Sequence, residues 1–384
     1  MTRKIAALTV AFVVTLSSSV MGQDVRGSIH QRYQVVPVVD GLEVPWSMAW
    51  LPNGDLLVTE RPGRLRIVRG GQLLPDPVAG VPDVLAEGQG GLFDVVLHPD
   101  FAANQLVYLS FAEPNAEGST TAVIRGRFED DRLHDLEDIF SAVAQGRGHY
   151  GGRLAFDRNH YLFITAGDRM APSRGDLEAH PAQDPTNHHG VVVRLHDDGR
   201  VPDDNPFVGQ ADHRPEIWTY GHRNPQGLVV HPETGDVWVT EHGPQGGDEL
   251  NRLVAGENYG WPVVGHGVNY GSGLAIHEGT KRDGMASPTH FWIPSIATSG
   301  LMVYTGDRFP EWRGDLFAGG LAGQQLARLS LNDDSKQVER EETLAWDLGR
   351  IRDVRQGPDG LIYLALEARS GGLTPIVRLE PVSD

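Results

Sequence analysis

Residues 227–240 read GLVVHPETGDVWVT, two short β segments on either side of a turn that contains Pro, Thr and Gly. Alternating apolar residues are typical of strands, and Pro and Gly supply turn dihedrals. The same unit of strand, turn and strand recurs along the chain, and its copies occupy residues 46–58, 92–109, 152–165, 227–240, 300–318 and 351–364. Imperfect copies of one β unit predict an all-β, six-bladed β-propeller, in which sheets stack radially around an axis.

The spacing of the repeats predicts long inter-strand loops. The turns at Pro52 and Pro358, in the first and last copies, lie 358 − 52 = 306 residues apart, about 61 residues for each of the five intervals. A four-stranded blade needs roughly 40–45 residues, so we expect the surplus in loops at about 168–190, 199–216 and 243–289. Such loops commonly carry functional sites. An irregular β-sandwich is the alternative, because evenly spaced short strands suit both folds.

The N-terminus has the features of a signal peptide over residues 1–22. A basic start at Arg3 and Lys4 precedes an apolar run over residues 5–14 that is too short for a transmembrane helix. We therefore expect residues 23–384 to form a single propeller domain, periplasmic or secreted, with no integral membrane span after cleavage. An uncleaved anchor is the alternative.

The composition excludes several classes of function. The formal net charge is −18, and a protein this acidic repels phosphate backbones, so nucleic acid is not an expected partner. The chain has no cysteine, which excludes disulfides, a thiol nucleophile and c-type haem attachment. An oxidoreductase with this composition would therefore pass electrons to an external electron acceptor.

Residues 146–151, GRGHYG, match the spacing G-x-G-x-x-G. A dinucleotide fingerprint needs a strand before it and a helix after it, whereas a β segment follows here. His149 within this segment is a candidate general base, because a neutral imidazole can take a proton from a bound alcohol near pH 7. A histidine that only hydrogen-bonds a propeller loop is the alternative.

Two loops around the fourth repeat carry polar groups suited to binding. GHRNPQG contains Arg223, whose guanidinium fork suits carboxylate or quinone oxygens, and the amide of Asn224. EHGPQGGDELN at residues 241–251 and GENYGWP at residues 256–262 combine acidic side chains with exposed carbonyl groups, the oxygen ligands that calcium prefers. A plain solvated turn suits these residues equally well.

Arg350 and Arg352 alternate on a predicted strand, so both guanidinium groups point to the same face. Two like charges on one face repel each other unless an anion lies between them. The pair therefore indicates an anionic ligand, with ordinary surface ion pairs as the alternative.

Taken in order, these motifs resemble the soluble quinoprotein sugar dehydrogenases, most closely the bacterial aldose sugar dehydrogenases. The resemblance covers residues 45–364 and depends on GQGGLFDVVLHPDF, HYGGRL, GHRNPQG, EHGPQGGDE and GENYGWP together. It implies a six-bladed propeller that binds pyrroloquinoline quinone (PQQ) and Ca²⁺.

By position, the resemblance makes His149 the catalytic base and Arg223 a second catalytic residue that also touches the quinone. The other quinone contacts that it implies are Gln89, Asn224, Tyr270, Arg350 and Arg352. The carbonyl groups of Gly243 and Pro244 would hold the calcium ion beside the quinone, and Glu249 with the Tyr259 carbonyl would form a second, structural calcium site.

One position departs from the family pattern. Ala322, in the segment GLAGQQ, stands where the family has a Lys that contacts the quinone. The loss of one charge-assisted hydrogen bond typically costs about 1.5–3 kcal/mol, so we expect weaker cofactor binding here than in relatives with the Lys.

The activity that the resemblance implies is oxidation of an aldose sugar at the anomeric carbon to a lactone. His149 would remove the hydroxyl proton as hydride passes to the quinone, while Arg223 and calcium stabilise the developing negative charge. Two alternatives stay open. One is a calcium-dependent propeller hydrolase of the lactonase type, since a propeller does not determine the reaction. The other is a cofactor-free propeller binding module, which Ala322 favours.

Overall fold

The computed structural model describes residues 25–116, 118–332, 334 and 336–382. These residues form six antiparallel sheets arranged as the blades of a propeller, which confirms the predicted fold class. Each sequence repeat supplies the first two strands of one blade. The proposed signal peptide over residues 1–22 lies outside the described residues. Within the described ranges, no helix combines the length and apolar character that crossing a membrane requires.

The strands are numbered in chain order, and blades 1 to 6 are numbered by the order of their first strands. The chain begins with two strands that join the last blade, β1 (Val25–Gly27) and β2 (Arg32–Glu43). Blade 1 contains β3 (Pro45–Trp50), β4 (Leu56–Glu60), β5 (Arg64–Arg69) and β6 (Gln72–Leu73). Blade 2 contains β7 (Leu92–Leu97), β8 (Leu106–Asn115), β9 (Gly118–Glu129) and β10 (Arg132–Ser141), with helix α1 (Phe101–Asn104) between β7 and β8.

The remaining blades follow the same order. Blade 3 contains β11 (Leu154–Phe156), β12 (Leu162–Ala166), β13 (Val191–Leu195) and β14 (Ile217–Tyr220). Blade 4 contains β15 (Pro225–Val230), β16 (Val237–Glu241), β17 (Asp248–Leu253) and β18 (His290–Trp292). Blade 5 contains β19 (Thr298–Val303), β20 (Leu316–Gly320), β21 (Gln325–Leu331) and β22 (Val338–Leu344). Blade 6 contains β23 (Arg350–Gln356), β24 (Ile362–Glu367) and β25 (Leu373–Val382), followed outward by β2 and β1.

Blade 6 closes the ring because it contains both ends of the described chain. Strand β2 pairs with β25 in antiparallel register, with Val35 opposite Leu379. These backbone hydrogen bonds join the N-terminal strands to the C-terminal sheet, so the last blade is assembled only when both are in place.

The core consists of apolar layers between neighbouring blades. Successive side chains of a strand point to opposite faces of its sheet. Leu162 and Ile164 of β12 therefore pack in the layer shared with blade 2, whereas Phe163 between them packs in the layer shared with blade 4. Both faces of a blade are covered, which explains why β12 (LFITA) is buried along its whole length.

Long loops occur where the spacing predicts them, with one correction. Residues 167–190 join β12 to β13, and residues 196–216 join β13 to β14. The third predicted loop, 243–289, contains strand β17, which pairs with β16 and buries Leu250 and Leu253. The loop that follows β17 spans residues 254–289.

Buried charges fill the centre of the propeller, where each first strand contacts the first strand of the next blade. Arg153, directly before β11, is 1% exposed. Its Nη1 lies 2.9 Å from Asp353 of β23 and 3.6 Å from Asp94 of β7. Arg355 forms ion pairs with the same two carboxylates at 3.0 Å and 2.9 Å. Two guanidinium groups therefore balance two fully buried carboxylates.

The Arg153 side chain also holds backbone and aromatic groups of other blades. Its Nε donates to the Gln226 carbonyl at 2.8 Å, and its Nη2 donates to the Arg352 carbonyl at 3.1 Å. The guanidinium carbon lies 4.0 Å from the centre of the Trp46 ring. One side chain of blade 3 thus contacts blades 1, 2, 4 and 6.

Replacing Arg153 with methionine, which has a similar length and no charge, should destabilise the protein strongly. Asp94 and Asp353 would stay buried with only Arg355 to neutralise both, and breaking a buried ion pair typically costs about 3–5 kcal/mol. Denaturant unfolding measures the effect. The exposed Arg132 of β10 gives the matched control Arg132→Met, expected to change stability by less than about 0.5 kcal/mol. Equal unfolding midpoints for the two variants would contradict the role of Arg153.

Candidate active site

A cavity of about 430 Å³ opens at one end of the propeller. Its volume lies in the range of roughly 300–1,000 Å³ that is usual for small-molecule and cofactor sites. The structure brings together the predicted catalytic and quinone-contacting residues in its wall, namely Gln89, His149, Arg223, Asn224, Tyr270, Arg350 and Arg352. Tyr270 reaches the cavity from the long loop after β17.

His149 is held in one orientation. Its backbone N–H donates to Gln89 Oε1 at 2.8 Å, and its ring Nδ1 lies 2.6 Å from Asp168 Oδ1. The backbone φ of His149 is +45°, a left-handed conformation that costs energy for a residue with a Cβ and is often found at active sites. No described residue offers a hydrogen-bond partner to Nε2. This nitrogen is therefore available to a ligand in the cavity.

Asp168, which the sequence did not single out, orients His149. It follows β12 directly and is 1% exposed. Its Oδ2 accepts a hydrogen bond from Trp261 Nε1 at 2.7 Å, and its Oδ1 also accepts one from the Met170 N–H at 2.9 Å. Gly167 is required beside it, because a Cβ there would lie 2.2 Å from the His149 carbonyl oxygen. The sequence signal for Asp168 was an acidic residue just after β12, the second strand of the blade that His149 precedes.

The charges of this pair suit a general base. Burial lowers the pKa of His149, and Arg223 and Arg169 lower it further, while Asp168 partly opposes them. Burial raises the pKa of Asp168, but His149 and Arg223 outweigh it and hold this pKa below its usual value. At pH 7 the site therefore has a neutral imidazole whose Nδ1–H donates to an ionised carboxylate, and a basic Nε2.

Arg223 lines the cavity and contacts the loop predicted to bind calcium. Its Nη1 donates to the carbonyl oxygens of His242 at 3.0 Å and Gly243 at 2.7 Å. Its backbone N–H donates to Glu241 Oε2 at 2.7 Å. Its Nε is buried and has no partner among the described residues. The guanidinium group thus lies at the junction of the cavity and the Gly243 carbonyl.

Arg350 and Arg352 point to the same face, as predicted, and the anion between them is Glu367 of β24. Arg350 Nε lies 3.2 Å from Glu367 Oε1, and Arg352 Nε lies 2.6 Å from Oε2. Burial raises the pKa of Glu367, but the two guanidinium groups outweigh it and keep the carboxylate ionised. The protein therefore supplies part of the negative charge that the sequence assigned to a ligand. Arg61 lines the same wall, which leaves three guanidinium groups facing one carboxylate.

His242 lies in a buried part of the cavity wall, near two of its arginine residues. Burial lowers its pKa to about 3, and the charges of Arg352 and Arg223 contribute to the shift. Its Nε2 is buried without a hydrogen-bond partner in the described part of the chain. The contribution of the two guanidinium groups indicates a positive potential at this part of the wall, which attracts an anionic ligand.

A second, much smaller cavity of about 20 Å³ adjoins the first, and Arg223 and His242 line both. The residues predicted to bind calcium, Gly243, Pro244, Glu249 and Tyr259, all line this small cavity. The volume accommodates about one water molecule or ion.

The chemistry of the small cavity fits a divalent cation. Burial raises the pKa of Glu249 to about 8, and the neighbouring Glu241 carboxylate contributes to the rise. Two carboxylates in one buried space are stabilised by a cation between them. The described residues contain no group of three or more His, Asp or Glu side chains placed to hold a metal ion. A calcium ion would therefore need backbone carbonyl oxygens as ligands.

Ala322 is exposed and does not belong to the cavity wall that the structure describes. Its neighbour Leu321 does, and the Leu321 carbonyl accepts a hydrogen bond from Arg350 Nη1 at 3.3 Å. The segment where the family resemblance implies a Lys therefore supplies no cation to this wall.

Comparison with known proteins identifies the family of the chain. The sequence profile described as Glucose / Sorbosone dehydrogenase matches residues 42–375. The chain is 43% identical over 347 residues to the aldose sugar dehydrogenase of Escherichia coli, which covers 88% of this chain and 91% of that protein. It is 29% identical over 348 residues to quinoprotein glucose dehydrogenase B of Acinetobacter calcoaceticus, which covers 82% of this chain and 70% of that protein.

Solved structures give the same result. The apo form of the soluble Escherichia coli aldose sugar dehydrogenase superposes with a TM-score of 0.83 and 41% identity, and the match covers 91% of this chain and 100% of that one. The PQQ-bound form of the aldose sugar dehydrogenase from Streptomyces coelicolor superposes with a TM-score of 0.73 and 27% identity, covering 91% and 98% of the two chains. With nearly the whole described chain matched in sequence and fold, the chain belongs to the glucose/sorbosone dehydrogenase family.

Proposed function

We propose that this protein oxidises aldose sugars at the anomeric carbon to lactones, with PQQ as cofactor and calcium beside it. Membership of the family makes the chain an oxidoreductase that acts on sugars. The observation that carries the finer proposal is the His149–Asp168 pair, whose Nε2 is available at a cavity lined by four arginine residues. A base beside a cationic cavity suits an alcohol substrate and an anionic electron acceptor held together.

The residues of the cavity fit a quinone that carries several carboxylates. Arg350 and Arg352 would bind carboxylate groups, and Gln89, Asn224 and Tyr270 would offer hydrogen bonds to the ring system. The unpartnered Nε of Arg223 and Nε2 of His242 are further polar groups in this wall. When bound, PQQ supplies a carbonyl carbon that accepts hydride from a C–H bond.

His149 performs the proton chemistry in this proposal. The anomeric hydroxyl group of the sugar would donate its hydrogen bond to Nε2, and Nε2 takes the proton as the C–H bond breaks. Asp168, 2.6 Å from Nδ1, stabilises the imidazolium ion that forms. Arg223 would stabilise the negative charge that a bound quinone gains as it accepts the hydride.

Calcium would strengthen this stabilisation as a Lewis acid held by the carbonyl groups of Gly243 and Pro244. Glu249 and the Tyr259 carbonyl would bind the second, structural calcium ion. They line the same small cavity as Gly243 and Pro244, and its volume suits about one ion, so binding of both ions would require the cavity to widen. The raised pKa of Glu249 supports a cation at this place, because a positive charge there would relieve the repulsion from Glu241.

The proposal extends to the cellular setting. With residues 1–22 removed as a signal peptide, residues 23–384 would act as one propeller domain in the periplasm or outside the cell. Electrons would leave to an external acceptor, because the sequence has no haem attachment motif and no cysteine.

Reconstitution tests the proposal against its two rivals. Purified protein is incubated with PQQ and CaCl₂, then supplied with aldoses and an artificial electron acceptor, and lactone formation is measured. Aldose oxidation that requires PQQ supports the proposal. Lactone hydrolysis in the absence of PQQ would favour the hydrolase, and the absence of both activities would favour a binding module.

His149→Ala should bind PQQ nearly as well as the wild type but turn over more slowly by about 10²–10⁴-fold, the contribution usual for a general base. Steady-state rates are corrected for bound cofactor measured by absorbance. The exposed His30 provides the control His30→Ala, expected to keep the wild-type rate. A wild-type rate in loaded His149→Ala would refute its assignment as the base.

Asp168→Asn should lower both the rate and the pKa of His149. The base must be deprotonated, and burial places its pKa below the usual 6.5, so kcat/KM should fall only on the acid side of that value. Asp168 opposes this lowering of the pKa, so Asp168→Asn should move the acid limb of the pH profile of kcat/KM to still lower pH. The rate at the optimum pH should fall by about tenfold or more. The exposed Asp176 in the same loop gives the control Asp176→Asn. An acid limb that moves to higher pH would contradict the pairing.

Calcium removal should lower the melting temperature, because a ligand that binds only the folded state stabilises it. It should also abolish PQQ affinity, because the proposal places a calcium ion beside the quinone. Thermal unfolding before and after prolonged chelation, with calcium added back, measures the effect. Glu249→Gln should reduce the calcium-dependent shift, whereas Glu278→Gln, at an exposed position later in the loop after β17, should preserve it. Unchanged melting and activity after chelation would exclude both calcium sites.

A further inference from the structure

Arg61, directly after β4, differs from the other arginine residues of the cavity. Arg223 donates to two carbonyl oxygens, and Arg350 and Arg352 share Glu367. For the Arg61 guanidinium group, the described residues provide neither a hydrogen bond nor an ion pair within 4 Å, although the side chain lines the cavity. The cavity thus contains one cation without a partner.

The backbone of Arg61 is fixed even though its charged group is unpaired. Its N–H donates to the Val44 carbonyl at 3.1 Å, and its carbonyl accepts from the Leu92 N–H at 3.0 Å. Gly91 allows this contact between blades 1 and 2, because a Cβ there would lie 2.0 Å from the Arg61 carbonyl oxygen. The side chain therefore starts from a fixed point of the backbone and lines the cavity.

The charge of the surrounding wall is unbalanced. Glu367 attracts Arg61, but Arg350 and Arg352 repel it, and burial adds to the cost of its charge. Three guanidinium groups around one carboxylate leave an excess of two positive charges. A guanidinium group that is partly removed from water is stabilised most by a carboxylate that accepts two parallel hydrogen bonds.

We propose that Arg61 binds a carboxylate group of the cofactor. The inference rests on the proposed function, since PQQ supplies the carboxylate. Arg61 provides the unpaired cation of the wall that also includes Arg350 and Leu321, whereas Ala322 provides none. It is a binding residue for the cofactor, distinct from the groups that act on the sugar.

The test is equilibrium binding of PQQ to calcium-loaded protein, followed by quenching of tryptophan fluorescence. Arg61→Gln should weaken binding by about tenfold to hundredfold, the effect of losing one charge-assisted bond. Arg61→Lys keeps the charge without the planar fork and should fall between Arg61→Gln and the wild type. Arg340→Gln is the matched control, because Arg340 is an exposed arginine on β22, the outermost strand of blade 5.

A second ligand separates binding from folding. The trimethyl ester of PQQ has no carboxylate charge, so its affinity should be nearly the same for the wild type and Arg61→Gln. Equal losses for PQQ and its ester would show a structural role and overturn the inference. Wild-type affinity of Arg61→Gln for PQQ would overturn it and leave the proposed function intact, whereas a wild type that fails to bind PQQ would overturn both.

Discussion

The buried contact of Arg153 with Asp353 and Asp94 is the interaction on which the site depends. Apolar layers hold each blade to its neighbours, but the first strands meet at the axis, where Arg153, Asp94 and Asp353 are buried. Arg153 neutralises carboxylates of two other blades and fixes the carbonyl groups of Gln226 and Arg352. The side chains of those last two residues line the cavity, so Arg153 holds the backbone of two residues of its wall. The segment HYGGRL places His149 four residues before this anchor.

The charged groups of the site lie in three neighbouring places, which are the His149–Asp168 pair, the arginine wall and the small cavity. Asp168 and His149 form a pair in which the carboxylate is buried and the imidazole is neutral. The arginine wall carries a positive excess, which suits an anionic cofactor. The small cavity concentrates carboxylates and carbonyl groups, which suits a cation. Trp261 connects the small cavity with the His149–Asp168 pair, because it lines this cavity and its Nε1–H donates a hydrogen bond to Asp168. A change in the order of the loop around Tyr259 would thus affect the position of Asp168, and with it His149, through the hydrogen bond from Trp261.

Much of this arrangement was visible in the sequence because it lies within short motifs. The strand–turn–strand repeat identified all six blades, and the glycine-rich loops before the first strands located His149 and Arg223. The sequence did not reveal Asp168 and Glu367, because only tertiary structure shows their contacts. Glu367 on β24 meets its two arginine partners on the paired strand β23, where strand register determines which residues face each other. Asp168 lies in the loop after β12 and meets His149 in the loop before β11. Arg61 was hidden by its ordinary turn sequence, TERPGR, where only tertiary structure shows that the side chain has no partner. Strand β17 was assigned to a loop because DELNRL has only two apolar residues, Leu250 and Leu253, both of which are buried.

The most direct test of the account is anaerobic stopped-flow absorbance of the protein loaded with PQQ and calcium, mixed with an aldose and no other acceptor. We predict a single-turnover change in the cofactor absorbance that is slower with sugar deuterated at the anomeric carbon, and slower again in His149→Ala. Such a result would tie the cavity, the cofactor and the base to one step in which a C–H bond breaks. A loaded protein whose absorbance does not respond to any aldose would contradict the account.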